Sequence, residues 1–143
     1  TTVFQRALKQ NLKVSLLIDD YMDDTGIKDI DLCRIMGVLL DNAMEAALES
    51  QDKILSVSIL QSEEQNISII IANSFAIKPD IDRLFQGGYS TKGTGRGTGL
   101  SALHDIMRNY EHVTLNTVIE NNLIFQELNI SNDCRECPEY CRE

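Results

Sequence analysis

Gly87-Gly88-Tyr89-Ser90-Thr91-Lys92-Gly93-Thr94-Gly95-Arg96-Gly97-Thr98-Gly99-Leu100 is the stretch that decides how the rest of the chain is read. Six of the eight glycines of the 143-residue chain lie in it, and a helical pattern of Leu100, Leu103, Met107 and Tyr110 follows at once. Glycines at this density let the backbone take positive φ and approach a ligand closely. The helix start then offers unpaired N–H groups and the positive end of a dipole to an anion. Lys92 and Arg96, with the hydroxyls of Ser90 and Thr91, sit in the same loop. That is the chemistry of a phosphate cradle beneath a flexible lid. The competing reading is a mobile glycine-rich surface loop. Other phosphate loops fit badly: a P-loop needs Gly-Lys-[Ser/Thr] as one unit, and Lys92 precedes its glycine. A dinucleotide fingerprint needs a strand directly before it and the spacing G-x-G-x-x-G, and neither is present.

Upstream of this loop the clearest pattern is a helix over about Ile30 to Glu49, which Asp29 or Asp31 can cap. Leu32, Ile35, Met36, Leu39, Ala43, Ala46 and Ala47 form its apolar stripe. Asn42 projects to the rim of that stripe, roughly 80° from its centre at about 100° per residue, and shares the rim with Glu45 and Glu49. Asn is a poor residue for a helix interior, so at the edge of a buried face it stands out.

The remaining elements follow by alternation. Thr1 to Gln10 reads as a short helical end and Lys13 to Asp19 as a strand, and the acidic run Asp19 to Asp24 closes in a turn at Thr25-Gly26. That run lacks the Gly and Glu spacing of a calcium loop and reads as solvated turn. Ile54 to Leu60 and Asn66 to Ala72 form a hairpin whose second strand lies near the sheet centre. Asp80 to Phe85 allows one helical turn, and the helix after the loop reaches about Tyr110. Val113 to Val118 and Leu123 to Ile130 form a second hairpin around Glu120-Asn121-Asn122. The order β-α-β-β-lid-α-β-β predicts a two-layer α/β sandwich, helices on one face of a mixed, mostly antiparallel sheet.

Composition bounds the rest. A length of 143 residues allows one domain with a substantial core, and 43% apolar with 24% charged residues is ordinary for a soluble globule. No apolar run approaches the ~20 residues of a membrane span, and no signal peptide is visible. The chain begins with Thr1, which reads as a piece of a longer protein. A net charge of −9 argues against nucleic acid as a partner, and means that a polyanionic nucleotide would need local cations and a metal. Cys33 sits in the helical pattern, while Cys134, Cys137 and Cys141 crowd the end, a poor disulfide framework that points to a reducing compartment. Those three without a nearby histidine are also a weak zinc set.

Two motifs at matching separation carry a resemblance. Leu39-Leu40-Asp41-Asn42-Ala43-Met44-Glu45-Ala46 resembles the N box of the GHKL ATPase superfamily, and Gly97-x-Gly99-Leu100 resembles its second glycine box. Leu84-Phe85 resembles the phenylalanine box before the lid. Their order is similar to the catalytic ATP-binding domain of sensor histidine kinases over about residues 10 to 131, and the wording is nearest to receptor kinases for peptide pheromones.

The resemblance implies a Bergerat-type fold that binds Mg-ATP and passes the γ-phosphate to a histidine outside this chain. It implies Asn42 as a Mg²⁺ ligand, Gly97, Gly99 and Leu100 at the phosphates, and Lys92 and Arg96 as local cations. Residues 1–10 would end a preceding helical segment, 11–131 the catalytic domain and 132–143 a mobile tail. The implied partners are a preceding dimerisation and histidine-phosphotransfer domain and a downstream response regulator. The whole receptor would be a homodimer in the membrane with this domain in the cytoplasm, used in quorum sensing.

Two departures stand out. Val38 occupies the place of a polar ligand one turn before Asn42, and the first glycine box is replaced by Ile71-Ala72-Asn73-Ser74-Phe75. Asn73 stands for the usual adenine-binding aspartate and keeps a carbonyl acceptor without the charge. Weaker ATP binding than in relatives would follow from both. His104 is expected to pack at the core edge and His112 near the surface at a strand start. A single-domain GHKL serine kinase of the anti-sigma-factor type, and a nucleotide-binding module without phosphotransfer, are the alternatives.

Overall fold

A computed structural model of the chain describes residues 5, 10–20, 23–80 and 98–132. The helical end over residues 1–10 apart from Gln5 and Gln10, most of the expected turn at residues 80–85, the loop from Gly87 to Gly97, and the tail with Cys134, Cys137 and Cys141 lie outside the described residues.

The elements are β1 (Lys13–Ile18), α1 (Asp29–Glu49), β2 (Ile54–Gln61), β3 (Ile67–Ser74), α2 (Thr98–Met107), β4 (Val113–Glu120) and β5 (Leu123–Ile130). The strands form one sheet in the order β1-β2-β3-β5-β4, with β3 at its centre. β1 pairs with β2 in parallel, and the other three pairings are antiparallel. The β4–β5 hairpin turns on Asn121 and Asn122, both at positive φ (52° and 63°). Asparagine tolerates that conformation, and it matches the twist of the flanking strands.

Alternation decides the buried face. Ile67, Ile69 and Ile71 of β3 lie beside Leu55 and Val57 of β2 and Leu128 and Ile130 of β5. They pack with Ile35, Leu39 and Ala43 of α1 and Leu103 and Met107 of α2 in one core cluster. Each such Ile or Leu contributes roughly 1.5–3 kcal/mol by leaving water. A smaller cluster of Leu12, Met44 and Ala47 ties the start of β1 to the last turns of α1. Met44, outside the stripe read from the sequence, is buried because the chain entering β1 covers that flank.

Two helix-end expectations are corrected. The N-cap of α1 is Lys28 and no side chain caps it; Asp29 and Asp31 fall in the first turn, where negative charge suits the dipole. The Lys28 N–H is met by the Tyr110 hydroxyl (3.2 Å), which in turn donates to Asp31 Oδ2. Tyr110 itself lies past the end of α2, which stops at Met107. At the other end of α1 a buried knot of hydroxyls joins three elements. Ser50 Oγ donates to Ala47 O (2.6 Å) and accepts from Lys53 N–H (3.0 Å). With that proton committed, Ser74 must be the donor in the 2.6 Å Ser50–Ser74 contact, while Ser74 Oγ accepts from Ile54 N–H (2.8 Å).

The acidic run is turn chemistry. Asp19 Oδ2 accepts from Gln61 N–H, Asp23 exchanges two hydrogen bonds with the Gln61 side chain, and Asp24 Oδ1 accepts from Gly26 N–H. No group of three or more His, Cys, Asp or Glu among the described residues could hold a metal ion.

Candidate functional site

Helix α1 carries Asn42 two turns before its C-terminus, half-buried, with Asp41 and Glu45 exposed on either side. The first turn of α2 approaches that position. A β-carbon on Gly99 would lie 3.9 Å from Asn42 Nδ2 and 3.5 Å from Val38 Cγ1. Val38 and Asn42 are one helical turn apart and therefore share a face. Gly99 thus sets the start of α2 directly against Asn42, with the half-buried Leu100 following it in the same turn. Val38 is also packed against the main core, so it has an apolar role.

Asn73 sits at the end of β3. Its parity with Ile67, Ile69 and Ile71 puts it on the helix-covered face, and it is 3% exposed. Asn73 Nδ2 donates to Ser74 O (2.9 Å), and because a carbonyl can only accept, the amide orientation is fixed. No hydrogen bond from a described residue reaches its Oδ1. Ser74 beside it binds Ser50, so the end of β3 is anchored to the C-terminus of α1. Asn42 and Gly99 are brought together, Leu100 follows Gly99 on α2, and Asn73 lies on the helix-covered face of the sheet. Lys92, Arg96 and Gly97, with Ser90 and Thr91, lie outside the described residues.

Two polar residues of this face escaped the sequence reading. Gln126 of β5 is 8% exposed and accepts a 2.6 Å hydrogen bond from the Thr117 hydroxyl of β4. Its inward parity with Ile124, Leu128 and Ile130 is the signal that marks it.

His104 is exposed on α2, a correction to the expected core-edge packing. His112, just before β4 and half-buried, places Nε2 2.8 Å from Thr25 O. An open groove of about 780 Å³ lies at the far end of the sheet, where β3 begins and β5 ends, lined by Leu60, Ser68, Ile70, His112 and Asn129 among others. It contains none of the candidate residues.

The chain matches the GHKL domain family over residues 27–131. Over 90 residues it is 33% identical to the probable C4-dicarboxylate sensor kinase of Halalkalibacterium halodurans, which covers 60% of this chain and only 17% of that protein. Among solved structures, the catalytic domain of histidine kinase ThkA aligns with a TM-score of 0.73 at 17% identity, covering 91% of this chain and 85% of that one. The mycobacterial sensor histidine kinase MprB aligns with a TM-score of 0.66 at 13% identity, covering 90% and 91%. With its helices on one face of a mixed five-stranded sheet, the fold of histidine kinase catalytic domains, the chain belongs to the GHKL domain family.

Proposed function

We propose that the chain is the Mg-ATP-binding catalytic domain of a quorum-sensing receptor histidine kinase of the AgrC type. It would donate the γ-phosphate of ATP to a histidine in a preceding dimerisation domain, with a response regulator downstream. The observation that carries the reading is the bare Cα of Gly99 set against Asn42, because a side chain there would occupy the space beside the amide. In this assignment the Asn42 side-chain oxygen, a hard donor, holds Mg²⁺, which neutralises phosphate charge when bound. Gly97, Gly99 and Leu100 present backbone amides to the phosphates, and Lys92 and Arg96 add local cations. Asn73 Oδ1, buried and without a donor among the described residues, accepts from the adenine amino group.

The chain's task is then positioning and charge neutralisation, which dominate phosphoryl transfer. Residues 11–131 form the catalytic unit in this assignment. The receptor is a homodimer in the membrane with this domain on the cytoplasmic side.

The acceptor histidine lies outside this chain in this reading: His104 is fixed on α2, the helix that Gly99 opens, and His112 is held at Thr25 O. Incubated with γ-labelled ATP and Mg²⁺, the chain alone is expected to acquire no acid-labile phosphate, and a longer chain carrying the preceding helical hairpin to acquire it. Robust phosphohistidine on these 143 residues, or phosphoserine on a partner protein, would overturn the assignment.

A further inference from the structure

On the helix-covered face of the sheet, Ile71 pairs with Gln126 and Asn73 with Ile124. Gln126 and Asn73 are therefore diagonal neighbours on adjacent strands, a separation that long side chains bridge. Both are more than nine-tenths buried, and each has one atom with no partner among the described residues. Asn73 spends its donor on Ser74 O and leaves the acceptor Oδ1. Gln126 spends its acceptor on the Thr117 hydroxyl and leaves the donor Nε2. A buried polar atom without a partner is costly, so this complementary pair calls for a ligand or water that supplies one donor and one acceptor side by side.

We infer that Gln126 is a base-specificity residue: its Nε2 donates to adenine N1 while Asn73 Oδ1 accepts from the N6 amino group. The inference rests on the nucleotide-binding reading above and deepens it. Adenine presents an acceptor at N1 beside a donor at N6. Hypoxanthine and guanine invert both, with N1–H and O6, so acceptor would meet acceptor and donor meet donor. A site whose buried groups are left unpaired rejects such an analogue strongly. Thr117 acts as a positioning residue, because its hydroxyl engages Oε1 and so turns Nε2 toward the face that Asn73 shares.

The test compares calorimetric binding of ATP, 1-deaza-ATP and ITP, each with Mg²⁺. 1-Deaza-ATP keeps the amino group and replaces N1 by C–H. The unaltered chain should bind 1-deaza-ATP on the order of tenfold more weakly than ATP, and ITP more weakly still. Gln126→Leu, similar in size and without the amide, should bind ATP about as weakly as the unaltered chain binds 1-deaza-ATP, and should no longer distinguish the two. The comparison on the unaltered chain stands even if the variant does not fold. Equal binding of ATP and 1-deaza-ATP would overturn the role of Gln126 alone, whereas failure to bind ATP at all would overturn the nucleotide reading beneath it.

Discussion

Gly99 and Asn42 meet across the contact between α2 and α1, with space for one β-carbon at 3.9 Å from Asn42 Nδ2 and 3.5 Å from Val38 Cγ1. Both are ordinary van der Waals separations, so the fold does not require glycine there. Gly99→Ala should leave stability unchanged or raise it by up to about 1 kcal/mol, since alanine is the better helix residue. Its methyl group should nevertheless weaken Mg-ATP binding by roughly tenfold or more, about 1.4 kcal/mol. Gly37, in the middle of α1, is the control, because a methyl group added there would meet nothing within 4 Å. Gly37→Ala should add about 0.5–1 kcal/mol of stability and leave binding alone. Thermal melts and calorimetry on the two variants separate a glycine kept for a ligand from one that packing does not need.

Asn42→Ala should remove most of the Mg²⁺-dependent part of ATP affinity while the chain stays folded, because Asn42 is only half-buried and alanine favours the helix. Asn42→Asp keeps an oxygen donor and should lose less. Titrations with and without Mg²⁺ check this; equal Mg-ATP affinity for the alanine variant and the unaltered chain would remove Asn42 from the metal site.

Ser74→Ala should destabilise the chain by about 1–3 kcal/mol. The change strips the part-buried Ile54 N–H of its acceptor and the buried Ser50 Oγ of a donor. Urea unfolding would show it as a lower midpoint with an unchanged slope.

Tyr110 bridges α1 and the end of α2, and partial burial, then the hydrogen bond to Asp31, push its phenol above the usual tyrosine range. A raised pKa in the folded state means that the native chain holds this proton more tightly than the unfolded one. The associated stability is complete below about pH 10 and is lost as pH rises through the folded value. Tyr110→Phe should cost about 1 kcal/mol at neutral pH and flatten that alkaline loss. Melting curves between neutral pH and about pH 11, near and above the ordinary tyrosine pKa, measure both effects.

The sequence periodicities carried most of the architecture. The stripe of α1, the two hairpins and the central place of β3 follow from where apolar residues recur, because burial of one face is what each element is selected for. Features that depend on a neighbour from elsewhere in the chain were not legible. Met44 is buried by Leu12, and the N-terminus of α1 is served by Tyr110 rather than by its own aspartates. Leu16 and Ile18 of β1 alternate like core residues yet are each 51% exposed. At the site, Asn42 stood out as a polar residue on the rim of an apolar helix face. Gln126 did not, because its significance appears only when the register sets it diagonally to Asn73.

Calorimetric titration of the chain with ATP, in Mg²⁺ and then in a chelator, tests the central claim most directly. A site built from Asn42, Gly99 and Asn73 predicts saturable binding of one nucleotide per chain that weakens markedly when Mg²⁺ is withdrawn. No heat of binding in Mg²⁺, or an affinity indifferent to the metal, would contradict it.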